Sequence, residues 1–181
     1  MSASIISITS RLLAMPVFFA AAWGIVVYPF ARLELALGLA AYAIAVFWRP
    51  HLMLLVVPVW LALINLAPWS GSLYLEDYDL LLGVTLAVFL ARGLYGMQAR
   101  LTPAQWLSIL LLALATLTGF ARGFIPTPEW GHIEISSYYS HWNALRLAKG
   151  FFWALLLLPA ISALLHSQRD KVLTSLAWGL A

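Results

Sequence analysis

Charge is what this sequence has least of. Only 9% of its 181 residues are Asp, Glu, Lys or Arg, against 64% that are apolar. A water-soluble domain carries about 25% charged residues and about 45–50% apolar ones. Ten basic and seven acidic side chains cannot cover the surface of a soluble fold of this length, and the mean hydropathy of +0.92 agrees. A soluble enzyme is thereby excluded, and the bilayer is the expected solvent. Cysteine is missing altogether, which excludes disulfides, thiolate metal sites and thiol nucleophiles. There is no basic run and no nucleic-acid motif, so no nucleic-acid partner is expected and the net charge of +3 reads as membrane topology. No serine stands in a nucleophile elbow and no glycine-rich phosphate loop occurs. Internal repeats and low-complexity tracts are lacking too, and the apolar, aromatic composition excludes disorder.

What is present is a series of apolar stretches separated by short polar breaks. Leu12 to Ala31 runs for 20 residues without a charge, about 30 Å of helix and enough to cross a bilayer. It continues well past the small residues Ala20 to Ala22, so it reads as a retained anchor rather than a cleaved leader. Leu33 to Trp48 and Leu52 to Ala67 are shorter and flank the break Arg49-Pro50-His51, which predicts a helical hairpin of two short crossings. Leu80 to Tyr95 is a fourth span. Thr102 and Pro103 are a good cap and first-turn pair, and the fifth span runs to about Ala121. Ala144 to Leu165 is the sixth, His166 to Lys171 a polar turn, and Val172 to Ala181 the start of another apolar run. The expected fold is an all-α polytopic transmembrane bundle of about six spans plus the start of a seventh. Residues 1–181 are expected to form one transmembrane domain, the N-terminal part of a longer chain whose remainder would be its partner. A short interfacial helix at the end is the alternative reading.

A cytoplasmic N-terminus puts Arg11, Arg49, Arg92, Arg100, Arg169 and Lys171 inside and Arg32, Arg122, Arg146 and Lys149 outside. That excess on the inner side has the sign expected of a multi-pass protein. The loops 68–79 and 122–143 then face outward. Trp48, Trp69, Trp106, Trp130 and Trp142 lie near span ends, where indoles anchor at the membrane interface.

Two loops carry candidate chemistry. In the first, Glu76, Asp77 and Asp79 either bind a divalent cation or, more simply, cap the fourth helix at its positive end. The second, from Arg122 into the sixth span, holds Glu129, His132, Glu134, His141, Asn143, Arg146 and Lys149 with interleaved tyrosines and tryptophans. Asn143, Arg146, Gly150 and Trp153 share one helical face, with Lys149 at its edge. Arginine makes bidentate contacts to phosphate and aromatic faces stack on sugars, which suits a pyrophosphate-linked sugar donor. Arg146 near the surface can instead snorkel to water; Lys149, a turn deeper, does so less easily. His132 and His141 are nine apart, too far for a helical metal pair; either is a general base or an ordinary loop histidine. No metal site and no cofactor are expected. Pro16, Pro29, Pro58 and Pro159 are kinks, or carbonyl-freeing breaks in a transport path.

The segment Pro68-Trp-Ser-Gly followed by Glu-Asp-Tyr-Asp-Leu-Leu at 76–81, together with Asn-Ala-Leu-Arg-Leu-Ala-Lys-Gly at 143–150, resembles O-antigen ligase-like and exopolysaccharide-polymerase-like membrane proteins. The resemblance covers roughly Pro68 to Pro159. It implies a glycosyltransferase of the bacterial inner membrane that takes a lipid-linked glycan from undecaprenyl pyrophosphate at the periplasmic face, without a catalytic metal. Arg122, Arg146, Lys149 and His141 would bind the pyrophosphate or glycan. The resemblance also places the family's main catalytic loop beyond Ala181, leaving the catalytic residue unassigned and this portion alone inactive. A non-enzymatic membrane subunit, a transporter component or an assembly scaffold, is the alternative.

Overall fold

The computed structural model describes residues 3–28, 31–65, 76–96, 101–127 and 141–181. The described residues are helical, with no strand among them. Six α-helices follow in order: α1 (Ala3–Val27), α2 (Arg32–Trp48), α3 (Met53–Asn65), α4 (Asp77–Ala91), α5 (Pro103–Phe124) and α6 (Trp142–Leu180). Three segments are long and apolar enough to cross a membrane: Ile8–Val27, Pro103–Phe124 and Asn143–Leu180. That is fewer than the six spans expected. At 1.5 Å per residue, α2, α3 and α4, with 17, 13 and 15 residues, reach only about 20–26 Å against about 30 Å of hydrocarbon. The Pro50–Leu52 3-10 turn fills the break read at Arg49-Pro50-His51.

The chain divides into two compact units. The first comprises Met1–Gly71, Leu75–Ala99 and Leu157–Ala181; the second comprises Ser72–Tyr74 and Arg100–Leu156.

In the first unit α4 is the core, because its sequence is apolar on every side and each residue from Asp79 to Leu90 is buried. It packs against α1, α2 and α3. The buried positions of α1 include Ser10, Ala14, Ala21 and Gly24, small residues on one stripe that let the helix backbones approach. The opposite face of α1, with Leu12, Phe19 and Trp23, is exposed; in water such a surface would drive association, and in a bilayer it is solvated by lipid. Tyr42 of α2 bonds Thr85 of α4 at 2.6 Å, and Thr85 Oγ1 donates to Leu81 O at 2.8 Å. Since Thr85 spends its proton on Leu81, Tyr42 is the donor in the interhelical bond. Gly93 at the end of α4 has φ 69°, the left-handed geometry that ends many helices. Gly179 lies so close to α3 that a Cβ there would stand 2.7 Å from the Leu54 carbonyl oxygen.

The polar segment His166 to Lys171, expected as a turn between spans, contains a kink at Gln168 (φ −142°, ψ 43°), so α6 is two helical segments joined there rather than one continuous helix. Arg and Lys are good helix formers, so helix resumes directly after the kink. The run Val172 to Ala181 accordingly belongs to the second helical segment of α6, beyond the kink, which ends at Leu180.

In the second unit α5 starts at the expected cap. Thr102 N–H donates to Gln105 Oε1 at 2.8 Å, Gln105 N–H donates to Thr102 Oγ1 at 3.3 Å, and Pro103 fills the first helical position. No residue of α5 is buried.

Candidate functional site

The site lies where the end of α5 meets the start of α6, inside the second unit. Gly123 is the point of closest approach: a Cβ there would stand 2.8 Å from Ala144 Cβ. Removing one side chain lets the two helix ends close, and Phe124 then packs edge-on against Trp142, with centroids 5.5 Å apart at 86°. Trp142 is buried, not an interfacial anchor as its place near a span end suggested; Trp48 and Trp106 are exposed at helix ends as expected. Trp69 and Trp130 lie outside the described residues.

His141 precedes α6 and its Nδ1 lies 2.8 Å from Gly123 O. A carbonyl only accepts, so Nδ1 carries the proton and Nε2 of the neutral ring is left as an acceptor. The ring lines an open cleft of about 550 Å³ together with Asn143, Ala144 and Leu147 of α6 and with Thr116, Gly119 and Phe120 of α5. The cleft thus offers an oriented imidazole, a carboxamide and an aromatic face, chemistry suited to hydroxyl-bearing ligands.

Of the four residues expected to bind pyrophosphate or glycan, His141 lines this cleft. Arg122 is exposed in the last turn of α5, where its charge complements the helix C-terminus, and it does not line the cleft. Lys149 is half-buried, engaged with its surroundings, and likewise not part of the lining. The side chain of Arg146 lies outside the described residues, as do Glu129, His132 and Glu134. Gly123 is absent from the sequence expectations, whereas Asn143, named there beside Arg146, lines the cleft. Gly123, whose missing Cβ lets Ala144 approach, was the available signal.

The acidic segment takes its simpler reading. Asp79 sits at the third position of α4 and accepts the Glu76 backbone N–H at 2.9 Å. It is buried there, at the positive end of the helix. Asp77 Oδ1 is buried without a hydrogen-bond partner among the described residues, and desolvation raises its carboxyl above the ordinary 3.8. Burial, then the adjacent Asp79 charge, raises the Tyr78 phenol as well. No group of three His, Asp or Glu that could hold a metal converges among the described residues. No protein-family model, curated protein or solved structure matches this chain.

Proposed function

We propose that this chain is the membrane portion of a glycan ligase or polymerase of the bacterial inner membrane, acting on undecaprenyl-pyrophosphate-linked glycans at the periplasmic face. Its N-terminus is cytoplasmic, and α2, α3 and α4 act as short crossings that complete a set of about six, tolerated by local thinning of the bilayer. The observation that carries the reading is the oriented His141 over a cleft with Asn143 and Phe120. Nε2 accepts a glycan hydroxyl, Phe120 offers a stacking face, and the positive charge of Arg122, Arg146 and Lys149 attracts the pyrophosphate. Such cations would stabilise the leaving group as its charge develops.

The test is glycan transfer by the full-length protein in membrane vesicles. His141→Ala and the triple Arg122→Ala, Arg146→Ala, Lys149→Ala variant are each expected to lose about tenfold or more, the scale of a charge-assisted hydrogen bond. Normal transfer at normal expression would sink the proposal. A second reading, a non-enzymatic membrane subunit, draws support from the fact that Arg122 and Lys149 do not line the cleft; it expects transfer to be untouched by every one of these changes.

A further inference from the structure

The first unit contains a second, unrelated constellation. The turn after α2 and the break in α6 come together although they are more than a hundred residues apart in sequence. His51 Nδ1 lies 3.3 Å from Gln168 Oε1, and since that amide oxygen only accepts, His51 is the donor. Trp48, Arg49, His51, Gln168 and Lys171 line one pocket of about 430 Å³. Arg49 and Lys171 are both exposed, and neither is paired with a carboxylate among the described residues. Asp170, the adjacent acid, does not line the pocket. Two cations therefore share a pocket that no carboxylate lines among the described residues.

Beside it runs an apolar groove of about 440 Å³ between α1, α2 and α4, lined by Ala14, Phe18, Ile44, Phe47 and Val88 among others. Trp48 belongs to both linings and is 79% exposed. A polar, cationic pocket that opens through a tryptophan onto an apolar groove has the shape of an amphiphile. Arg92 holds the groove's end in place, donating to the Phe47 carbonyl and lying 5.9 Å from the Phe47 ring centroid.

The geometry points to a binding site for an acidic phospholipid: the headgroup phosphate between Arg49 and Lys171, an acyl chain in the groove, and the Trp48 indole at the junction. Basic pockets between helices at a membrane surface bind anionic headgroups in this way, and indoles favour that depth. The Gln168 side-chain nitrogen and His51 Nε2, which have no partner among the described residues, supply further hydrogen bonds to the headgroup. A free phosphate would use the cations but leave the groove without a role. The site is independent of the glycan reading and needs only that the protein sits in a membrane.

The experiment reconstitutes the full-length protein in nanodiscs of phosphatidylcholine with or without phosphatidylglycerol and counts retained lipid by native mass spectrometry. The wild type is expected to keep phosphatidylglycerol in preference to phosphatidylcholine. Arg49→Gln and Lys171→Gln should each weaken retention about fivefold, the scale of one cation at a membrane surface. Arg169→Gln removes the same charge two residues before Lys171, at a position that does not line the pocket, and should leave retention unchanged; Arg49→Lys should restore most of it. An equal loss in Arg169→Gln would mean diffuse surface attraction and would overturn the site. So would full displacement of the lipid by millimolar inorganic phosphate, which would make the pocket a soluble-anion site. Retention unaffected by Arg49→Gln and Lys171→Gln would overturn it as well. Thermal melting of each variant separates lost binding from lost folding, and Arg49→Lys keeps the test decisive if a glutamine variant is unstable.

Discussion

Replacing Tyr42 by phenylalanine removes one oxygen from the middle of the first unit. The Tyr42–Thr85–Leu81 chain has a direction, and that direction sets the cost of each change. In Tyr42→Phe, Thr85 still donates to Leu81 O, so no buried donor is stranded. The loss is one net hydrogen bond, about 0.5–1.5 kcal/mol, and interhelical bonds in membrane proteins average about 0.6. In Thr85→Val the Tyr42 hydroxyl keeps its proton and loses its acceptor. Thr85 is fully buried and Tyr42 nearly so, so the stranded hydroxyl costs its desolvation as well, about 1–3 kcal/mol. The double variant strands nothing and should cost less than the sum, with a coupling of roughly 0.6–1.7 kcal/mol. Reversible unfolding in bicelles or mixed micelles, run on the wild type and three variants, supplies the four free energies. A Tyr42→Phe cost equal to or above that of Thr85→Val would refute the assigned donor. Strict additivity would refute the bond itself.

Three further outcomes follow from the close approaches and the acidic cap. Gly123→Ala, whose Cβ would stand 2.8 Å from Ala144 Cβ, should cost about 1–3 kcal/mol and release the His141 ring from Gly123 O; Gly119→Ala, with nothing within 4 Å, should be neutral or stabilising. Nitrogen-15 spectra of the histidine side chains report the ring, and an unchanged Nδ1–H signal in Gly123→Ala would contradict the site geometry. Gly179→Ala should lower the melting temperature because the atom it meets is the Leu54 carbonyl oxygen, which cannot move aside as a side chain can, whereas Gly150→Ala, also open, should not. Equal melting shifts for the two would count against that contact. Asp77 has a folded pKa raised by burial, so the folded state binds its proton more tightly and stability falls as pH rises through that pKa. Asp77→Asn should therefore melt higher than wild type at pH 7, with the difference shrinking as pH falls toward 3.8. A gap that widened on acidification would reverse the sign and refute the burial argument.

Much of this was legible in the residues themselves. Threonine, proline and glutamine at 102, 103 and 105 carry the start of α5 in their local chemistry, and Asp79 does the same for α4. The apolar runs located the helices because burial in lipid or protein demands them. What local chemistry does not encode is partnership. Nothing in the neighbourhood of His51 names Gln168, and nothing around Tyr42 names Thr85. Those pairings are decided by packing between distant segments. The break in α6 was legible as well, since the non-helical Gln168 falls inside the polar stretch His166 to Lys171; what the residues did not show is how quickly helix resumes after it. At the candidate site the cations drew attention because charge is scarce, while the cleft is shaped by Gly123, a residue notable for the atoms it lacks.

The contrast between α4, buried from Asp79 to Leu90, and α5, with no buried residue, has a consequence for how each records its history. A side chain touched on all sides must keep its volume as well as its polarity, so α4 tolerates few replacements in either direction. A helix facing lipid need only remain apolar; leucine, isoleucine, valine and phenylalanine are nearly interchangeable there. Along α5 substitutions should accumulate freely among apolar residues and stop at the few positions, Gly123 foremost, where another backbone comes close. A saturation library of the two helices would show the difference as two kinds of memory: α4 preserving shapes, α5 preserving only an average.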